Sequence, residues 1–412
     1  MPLRERFLRG PGLRETRALG LAVSGGGDSM ALLHLAAEAG IATRAVTVDH
    51  GLRPEAADEA RAVGRVCADL GVPHDILRWE GWDGRGNLMD QARRARLRLI
   101  AGWARGAGLE AVALGHTRDD VAETFLMRLA RGAGVDGLAA MQAVRRAEGM
   151  VWLRPLLGIG REELRADLRR RGASWIEDPS NDNPAFDRVR MRQAMESLAD
   201  LGLRPERLAD VAGHLAEVRD ALDLQLREAA GRLARVDRGD VVLAPPVLEL
   251  PPEILRRLLQ AALQWVASAE YGPRGPALGE AMRRVFDGTT VTLHGCRLAP
   301  RREGLRIGRE WQAVRSVVAA VGERWDGRWD LQAPGGADFS TDGLETRALG
   351  PEGLARCPDW RASGLPRPSL LAAPSVWRGD ALVAAPLAGL SNGWTAVAHP
   401  LQNGDFLSLL SH

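Results

Sequence analysis

The stretch "LGLAVSGGGDSMALLHL", residues 19–35, decides the architecture. An apolar run opens it, three glycines flanked by serines follow, and an apolar-periodic run closes it. Residues 18–23 read as a buried strand, and the run from Asp28 to about Ala39 as a helix. Glycines at such a junction let backbone amides turn toward phosphate, and the helix N-terminus adds a partial positive charge.

The same alternation continues downstream. "ATRAVTVDHG" (42–51) predicts a second strand ending near Asp49, followed by a helix from about Pro54 with acidic residues in its first turns. "VPHDILRW" (72–79) and "LEAVALGH" (109–116) predict two further strands, with helices over about 86–105 and 119–131. Parallel neighbours need crossover connections, and helices supply them. The fold class is therefore α/β, a doubly wound parallel sheet, with ligands bound outside the carboxyl ends of its strands.

At 412 residues the chain has room for two or three domains, and 45% hydrophobic with 26% charged residues marks a soluble globular protein. The expected division is 1–198, a nucleotide-binding catalytic domain; 199–310, a small α+β domain; and 311–412, a strand-rich module with frequent glycine, proline and tryptophan. No apolar stretch approaches the roughly 20 residues that cross a bilayer, and residues 1–17 lack the apolar core of a secretory signal. A cytoplasmic location with no membrane partner is expected, and a homodimer is compatible with the sequence. The net charge of +2 is too small to mark a nucleic-acid binder, so any polyanion footprint must be local. The chain contains no lysine, which excludes Schiff-base chemistry and leaves arginine as the only permanent cation among its side chains. Cys67, Cys296 and Cys357 lie far apart with no metal-ligand spacing.

The glycine loop, Ser24-Gly25-Gly26-Gly27-Asp28-Ser29, lacks the lysine of a Walker A loop. A dinucleotide fingerprint would need a third glycine where Met30 stands, although Asp49 would suit the ribose-binding acid of that fold. The serine hydroxyls can donate to phosphate, whereas the Asp28 carboxylate makes sense beside phosphates if it holds a magnesium ion. This hexapeptide resembles the SGGxDS loop of the PP-loop ATP pyrophosphatases, which cleave ATP between its α and β phosphates. "VDHGLRPEAADEA" (48–60), "GNLMDQARRARLRLI" (86–100), "LGHTRDDVAETFLMRLARGAGVDGLAAM" (114–141) and "RPLLGIGREELRADLRRRGASWIEDPSNDNPAFDRVRMR" (154–192) follow in order. With them the chain is similar to the tRNA(Ile)-lysidine synthetases over about residues 18–195. It departs at one place, where Val189 follows Arg188 and that family carries asparagine.

The resemblance implies ATP and Mg2+ as cofactors, and free L-lysine and a tRNA(Ile) with a CAU anticodon as partners. ATP would adenylate the C2 oxygen of the wobble cytidine, and the lysine ε-amine would displace AMP. It implies catalytic roles for Asp28, Asp120, Glu123 and Arg188. ATP contacts would come from Ser24, Gly25, Gly26, Gly27, Asp28, Ser29, Asp49 and His116, with Asp28 on the metal. Asp120 and Glu123 suit either the ammonium groups of lysine or a second magnesium ion. His116 fits a contact to nucleotide or base, or a satisfied core histidine. Phosphate or tRNA contacts would come from Arg53, Arg93, Arg96, Arg131, Asp178, Asn181 and Arg192.

Helical spacing is consistent with these roles. In 119–131, Val121, Ala122, Phe125, Leu126 and Leu129 form an apolar face, with Asp120, Glu123, Thr124 and Arg131 opposite. In 86–105, Arg93 and Arg96 flank a stripe of Leu88, Ala92, Ala95, Leu99 and Trp103, where a charge needs a partner. The segment 161–192 is locally basic, from Arg161 and Arg165 through Arg171 to Arg190. Beside an adenylation site it could track an RNA backbone. Two other readings remain: a sulfur-inserting tRNA enzyme of the same superfamily, which would need paired cysteines, and a non-catalytic ATP- or RNA-binding protein on this scaffold.

Overall fold

The computed structural model describes residues 1–51, 55–79, 88–177, 187–335, 340–399 and 406–410. Arg53, Asp178 and Asn181 lie outside the described residues. Contacts divide the chain into two compact units, Met1–Arg219 and Asp220–His412.

The first unit is built on β1 (Leu19–Ala22), β2 (Thr43–Asp49), β3 (His74–Arg78), β4 (Ala111–Leu114), β5 (Val144–Ala147) and β6 (Met150–Leu153). Their order is β3-β2-β1-β4-β6-β5, parallel except for β5, which pairs antiparallel to β6. Its helices are α1 (Leu3–Leu8), α2 (Gly27–Ala39), α3 (Ala56–Asp69), α4 (Leu88–Gly106), α5 (Arg118–Leu129), the single turn α6 (Val135–Leu138), α7 (Arg161–Arg170), α8 (Asp187–Ala199) and α9 (Pro205–Leu233). The boundary between the units falls within α9.

Alternation along β1 explains why its sequence is apolar throughout. Leu19, Leu21 and Val23 pack with α2, α3 and α7, while Ala22 faces the cluster around Ile100, Ala104 and Trp152. Both faces are covered, as parallel sheets require, and each fully buried large side chain contributes about 1.5–3 kcal/mol. The strand order reverses between β1 and β4, so the loops leaving those two strands open a crevice at the carboxyl edge.

One face of α5 seals that crevice from behind. Val121, Ala122, Phe125 and Leu126 are buried against Met195 of α8 and Leu208 and Ala212 of α9. Leu129, expected on the same face, is 50% exposed because the helix ends there.

The second unit opens with strands Ala234–Asp237, Asp240–Leu243, Val291–Leu293, Cys296–Arg301 and Gly304–Arg309 in one antiparallel sheet. Helices Pro252–Ala267 and Gly275–Phe286 cover it, with Leu298, Ile307, Leu258 and Leu263 at the centre. Downstream lie a four-stranded and a two-stranded sheet. Trp325, Trp329, Trp377 and Trp394 are core residues there.

Candidate active site

Three helix N-termini converge on the crevice. The loop after β1 leads into α2 at Gly27, the loop after β4 leads into α5 at Arg118, and Gly160 leads into α7 at Arg161. Each brings the positive end of its helix dipole.

The glycine loop is shaped by close approaches. Gly25 adopts φ 89°, and a Cβ there would meet Ile176 Cδ1 at 2.6 Å, while the Gly25 carbonyl accepts from Ile176 N at 2.9 Å. Across the crevice, a Cβ on Gly115 would lie 3.1 Å from the Asp28 carbonyl. Ser29 closes the loop, its Oγ donating to the Gly26 carbonyl at 2.9 Å and accepting from Ser24 N at 3.1 Å. Ser24 Oγ stands 3.2 Å from Ser29 Oγ.

Thr117 caps α5, with Oγ1 accepting from Asp120 N and Asp120 Oδ2 accepting from Thr117 N at 2.6 Å. The capping box fixes Asp120 at the first turn and, one turn on, Glu123 on the same side. Both are withdrawn from solvent, Asp120 to 6% and Glu123 to 0% exposure. Buried carboxylates need partners, and arginines supply them. Arg161, 12% exposed, donates Nε to Asp28 Oδ2 at 3.2 Å, Nη1 to Glu123 Oε1 at 2.8 Å and Nη2 to Asp120 Oδ1 at 3.0 Å. Its backbone N–H donates to Asp119 Oδ2 at 2.7 Å. From α8, Arg188 donates Nε to Glu123 Oε2 at 2.6 Å and Nη2 to Asp120 Oδ1 at 2.5 Å, and Arg192 Nε reaches Glu123 Oε1 at 3.1 Å.

These environments set the charges. Burial pushes Glu123 upward, but Arg161 and Arg188 outweigh it and hold the carboxyl below its usual range. Asp28 moves the other way, because burial dominates the lowering by Arg161. Its Oδ1 is buried without a hydrogen-bond partner among the described residues. An acceptor so placed, on a carboxylate whose charge is under-compensated, fits a divalent cation beside phosphates. Among the described residues no three His, Cys, Asp or Glu side chains form a protein-only metal cage. His116 is pushed down to about 4, first by burial and then by Arg154, Arg188 and Arg96, against the pull of Asp120. Arg154 Nε donates to its Nδ1 at 3.2 Å, which places the imidazole proton on Nε2.

Burial first, and then the charge of Arg93, pushes Arg96 down, and burial followed by Arg145 and Arg93 does the same to Arg154. Arg96 is half-buried, as the flank of an apolar stripe requires, and Arg93 is exposed. Asp49, at the end of β2, is buried and accepts from Gly51 N at 2.9 Å.

Asp28, Asp120, Glu123, Arg188 and Arg192 thus meet in one network. Arg131 does not join it: the helix ends before it, and its exposed side chain pairs with Asp187 Oδ2 at 2.8 Å. Arg161 holds the centre, although the sequence presents it only as one of a basic run, and Arg154 carries no sequence signal beyond its place after β6. Val189 is buried in α8.

This loop and sheet define the class. A family profile of the PP-loop domain matches residues 4–198. The tRNA(Ile)-lysidine synthase of Ruegeria pomeroyi is 50% identical over 401 residues, covering 96% of this chain and 94% of that one. Those of Hyphomonas neptunium and Zymomonas mobilis are 42% and 41% identical, covering 69% and 67% of this chain and 79% and 83% of their own lengths. The chain belongs to the tRNA(Ile)-lysidine synthase family. No described helix is long and apolar enough to cross a membrane.

Proposed function

We propose that this chain ligates L-lysine to C2 of the wobble cytidine, position 34, of a tRNA(Ile) with a CAU anticodon, consuming ATP. One observation carries the reading: the SGGGDS loop and the Asp120–Glu123 pair are joined through Arg161 in a chain half identical to a lysidine synthase over nearly its whole length.

In the first half-reaction the cytidine O2 attacks the α-phosphorus, the bond from that phosphorus to the β-bridging oxygen breaks, and pyrophosphate leaves. Amides at the start of α2, with Ser24, cradle the phosphates. Asp28 would hold a magnesium ion, which would neutralise part of the triphosphate charge when bound. Arg93, Arg96 and Arg154 face the developing negative charge, and neutral His116 offers Nε2–H to nucleotide or base. In the second half-reaction the lysine ε-ammonium gives one proton to solvent, the freed amine bonds to C2, the C2–O2 bond breaks, and AMP departs carrying O2. Glu123, held ionised, and Asp120 accept hydrogen bonds from the ammonium groups of lysine.

The sulfur-inserting alternative is disfavoured by the cysteines. All three are buried and separate, with burial pushing Cys67 up to about 11 and Cys296 up to about 12, far from a reactive thiolate. Incubation with ATP, magnesium, radiolabelled lysine and bulk bacterial tRNA tests the reading. Label should enter the tRNA and fail to do so without ATP; label absent from RNA under both conditions would refute it.

A further inference from the structure

The carboxylates assigned to lysine are already occupied. Asp120 Oδ2 accepts from Thr117 N and, at 3.1 Å, from Thr117 Oγ1, while its Oδ1 accepts from both Arg161 and Arg188. Glu123 Oε1 accepts from Arg161 and Arg192, and Oε2 from Arg188. Three of the four oxygens already accept two hydrogen bonds and Glu123 Oε2 accepts one, so an ammonium group can bridge both carboxylates only if a guanidinium withdraws.

The three arginines are not equally replaceable. Arg161 is nearly buried, binds three carboxylates, and is pinned by its own backbone N–H at the start of a helix packed on α2. Among the described residues Arg192 makes one side-chain hydrogen bond, on an oxygen that Arg161 also serves. Arg188 is 44% exposed and donates to Glu123 Oε2. Its withdrawal would leave Glu123 Oε2 without a donor among the described residues and Asp120 Oδ1 with Arg161 alone, opening one acceptor position on each carboxylate, a two-point seat for an ammonium group. It would also change the local balance from three carboxylates (Asp28, Asp120, Glu123) against three guanidiniums to three against two. The uncovered seat is anionic and attracts a cation.

We propose that Arg188 is an exchangeable occupant of the lysine seat, drawn off by nucleotide phosphates, so that the seat opens only once ATP is bound. This rests on the function proposed above. A planar guanidinium pairs as readily with phosphate as with carboxylate, whereas the other anchors of Arg161 hold it in place. The charge of Arg188 already reaches His116, on the nucleotide side of the crevice. The device orders the reaction, with ATP first and lysine second. By thermodynamic linkage, whatever factor ATP adds to lysine affinity, lysine adds to that of ATP.

The test is calorimetric titration of the full chain with L-lysine, alone and with magnesium plus an ATP analogue carrying a methylene between the α and β phosphorus atoms. In the parent, lysine should bind at least about tenfold more weakly without the analogue, a coupling of about 1.4 kcal/mol. In Arg188→Ala, nucleotide-free protein should bind lysine about tenfold more tightly than the parent, and the coupling factor should fall toward one while turnover drops. Arg192→Ala should keep the coupling. A merely structural arginine would weaken lysine binding when removed. Lysine affinity indifferent to nucleotide in the parent, or lowered in Arg188→Ala, overturns the exchange alone. Protein that takes up the analogue but never lysine overturns the proposed function with it.

Discussion

Arg161, on the first turn of α7, donates Nη1 at 2.8 Å to Oε1 of Glu123, a carboxylate on α5 that solvent does not reach. The pair ties two helix N-termini together across the crevice and makes the carboxylate cluster one electrostatic unit. Removing one member of a buried ion network leaves the others uncompensated, so the members are expected to be interdependent.

Glu123→Gln keeps the shape and removes the charge. The lysine KM should rise by about tenfold or more, the worth of a charge-assisted hydrogen bond of roughly 1.5–3 kcal/mol, while the ATP KM moves little. Steady-state kinetics with each substrate varied in turn decides it; equal changes in both would remove Glu123 from the amino-acid seat.

Asp28→Asn should abolish pyrophosphate release without lowering the unfolding midpoint of ligand-free protein. The Asp28 pKa is raised on folding, so its contribution is favourable at low pH and is lost as pH rises through the folded value. At neutral pH the charged form is a burden that the amide lacks. A large fall in the thermal midpoint, or undiminished pyrophosphate release, would contradict the assignment.

His116 imposes a pH dependence on stability. An unfolded histidine takes up its proton near 6.5, whereas the folded one resists until about 4. Stability should therefore fall as pH drops across that window and be unaffected by this group above it. Denaturant midpoints at about pH 4.5 and about pH 7.5 should differ less in His116→Asn than in the parent. Identical differences would mean that His116 is charged in the folded protein.

Gly115→Ala tests the close approach of the two loops. The new Cβ would crowd the Asp28 carbonyl at 3.1 Å, and overpacking of this kind costs about 1–3 kcal/mol. Nucleotide affinity should fall more steeply than stability, because the displaced atoms carry Asp28 itself. Calorimetry and denaturation on the same preparation separate the two; unaltered ATP binding would show that the loop tolerates displacement.

Strands and helices around the glycine loop were legible because two periodicities alternate there and glycine marks each reversal. Asp120 and Glu123 were legible through their spacing on a helix that starts at a strand's carboxyl end. Arg161 was not, because its partners lie 133, 41 and 38 residues away and an arginine at the head of a charged helix reads as surface. Arg131 differs from the expected polar face of α5: the helical projection ran two residues past its last residue, Leu129. Periodicity reports which face a side chain shares, not where the helix stops.

The arginines that line this crevice have a chemical corollary. A guanidinium keeps its proton throughout the physiological range, so it cannot attack an electrophilic carbon. With no lysine anywhere in the chain, no side-chain amine of the catalyst can intercept the activated pyrimidine. Self-labelling by that route is closed, and an ε-amino adduct recovered on the RNA must have arrived from solution.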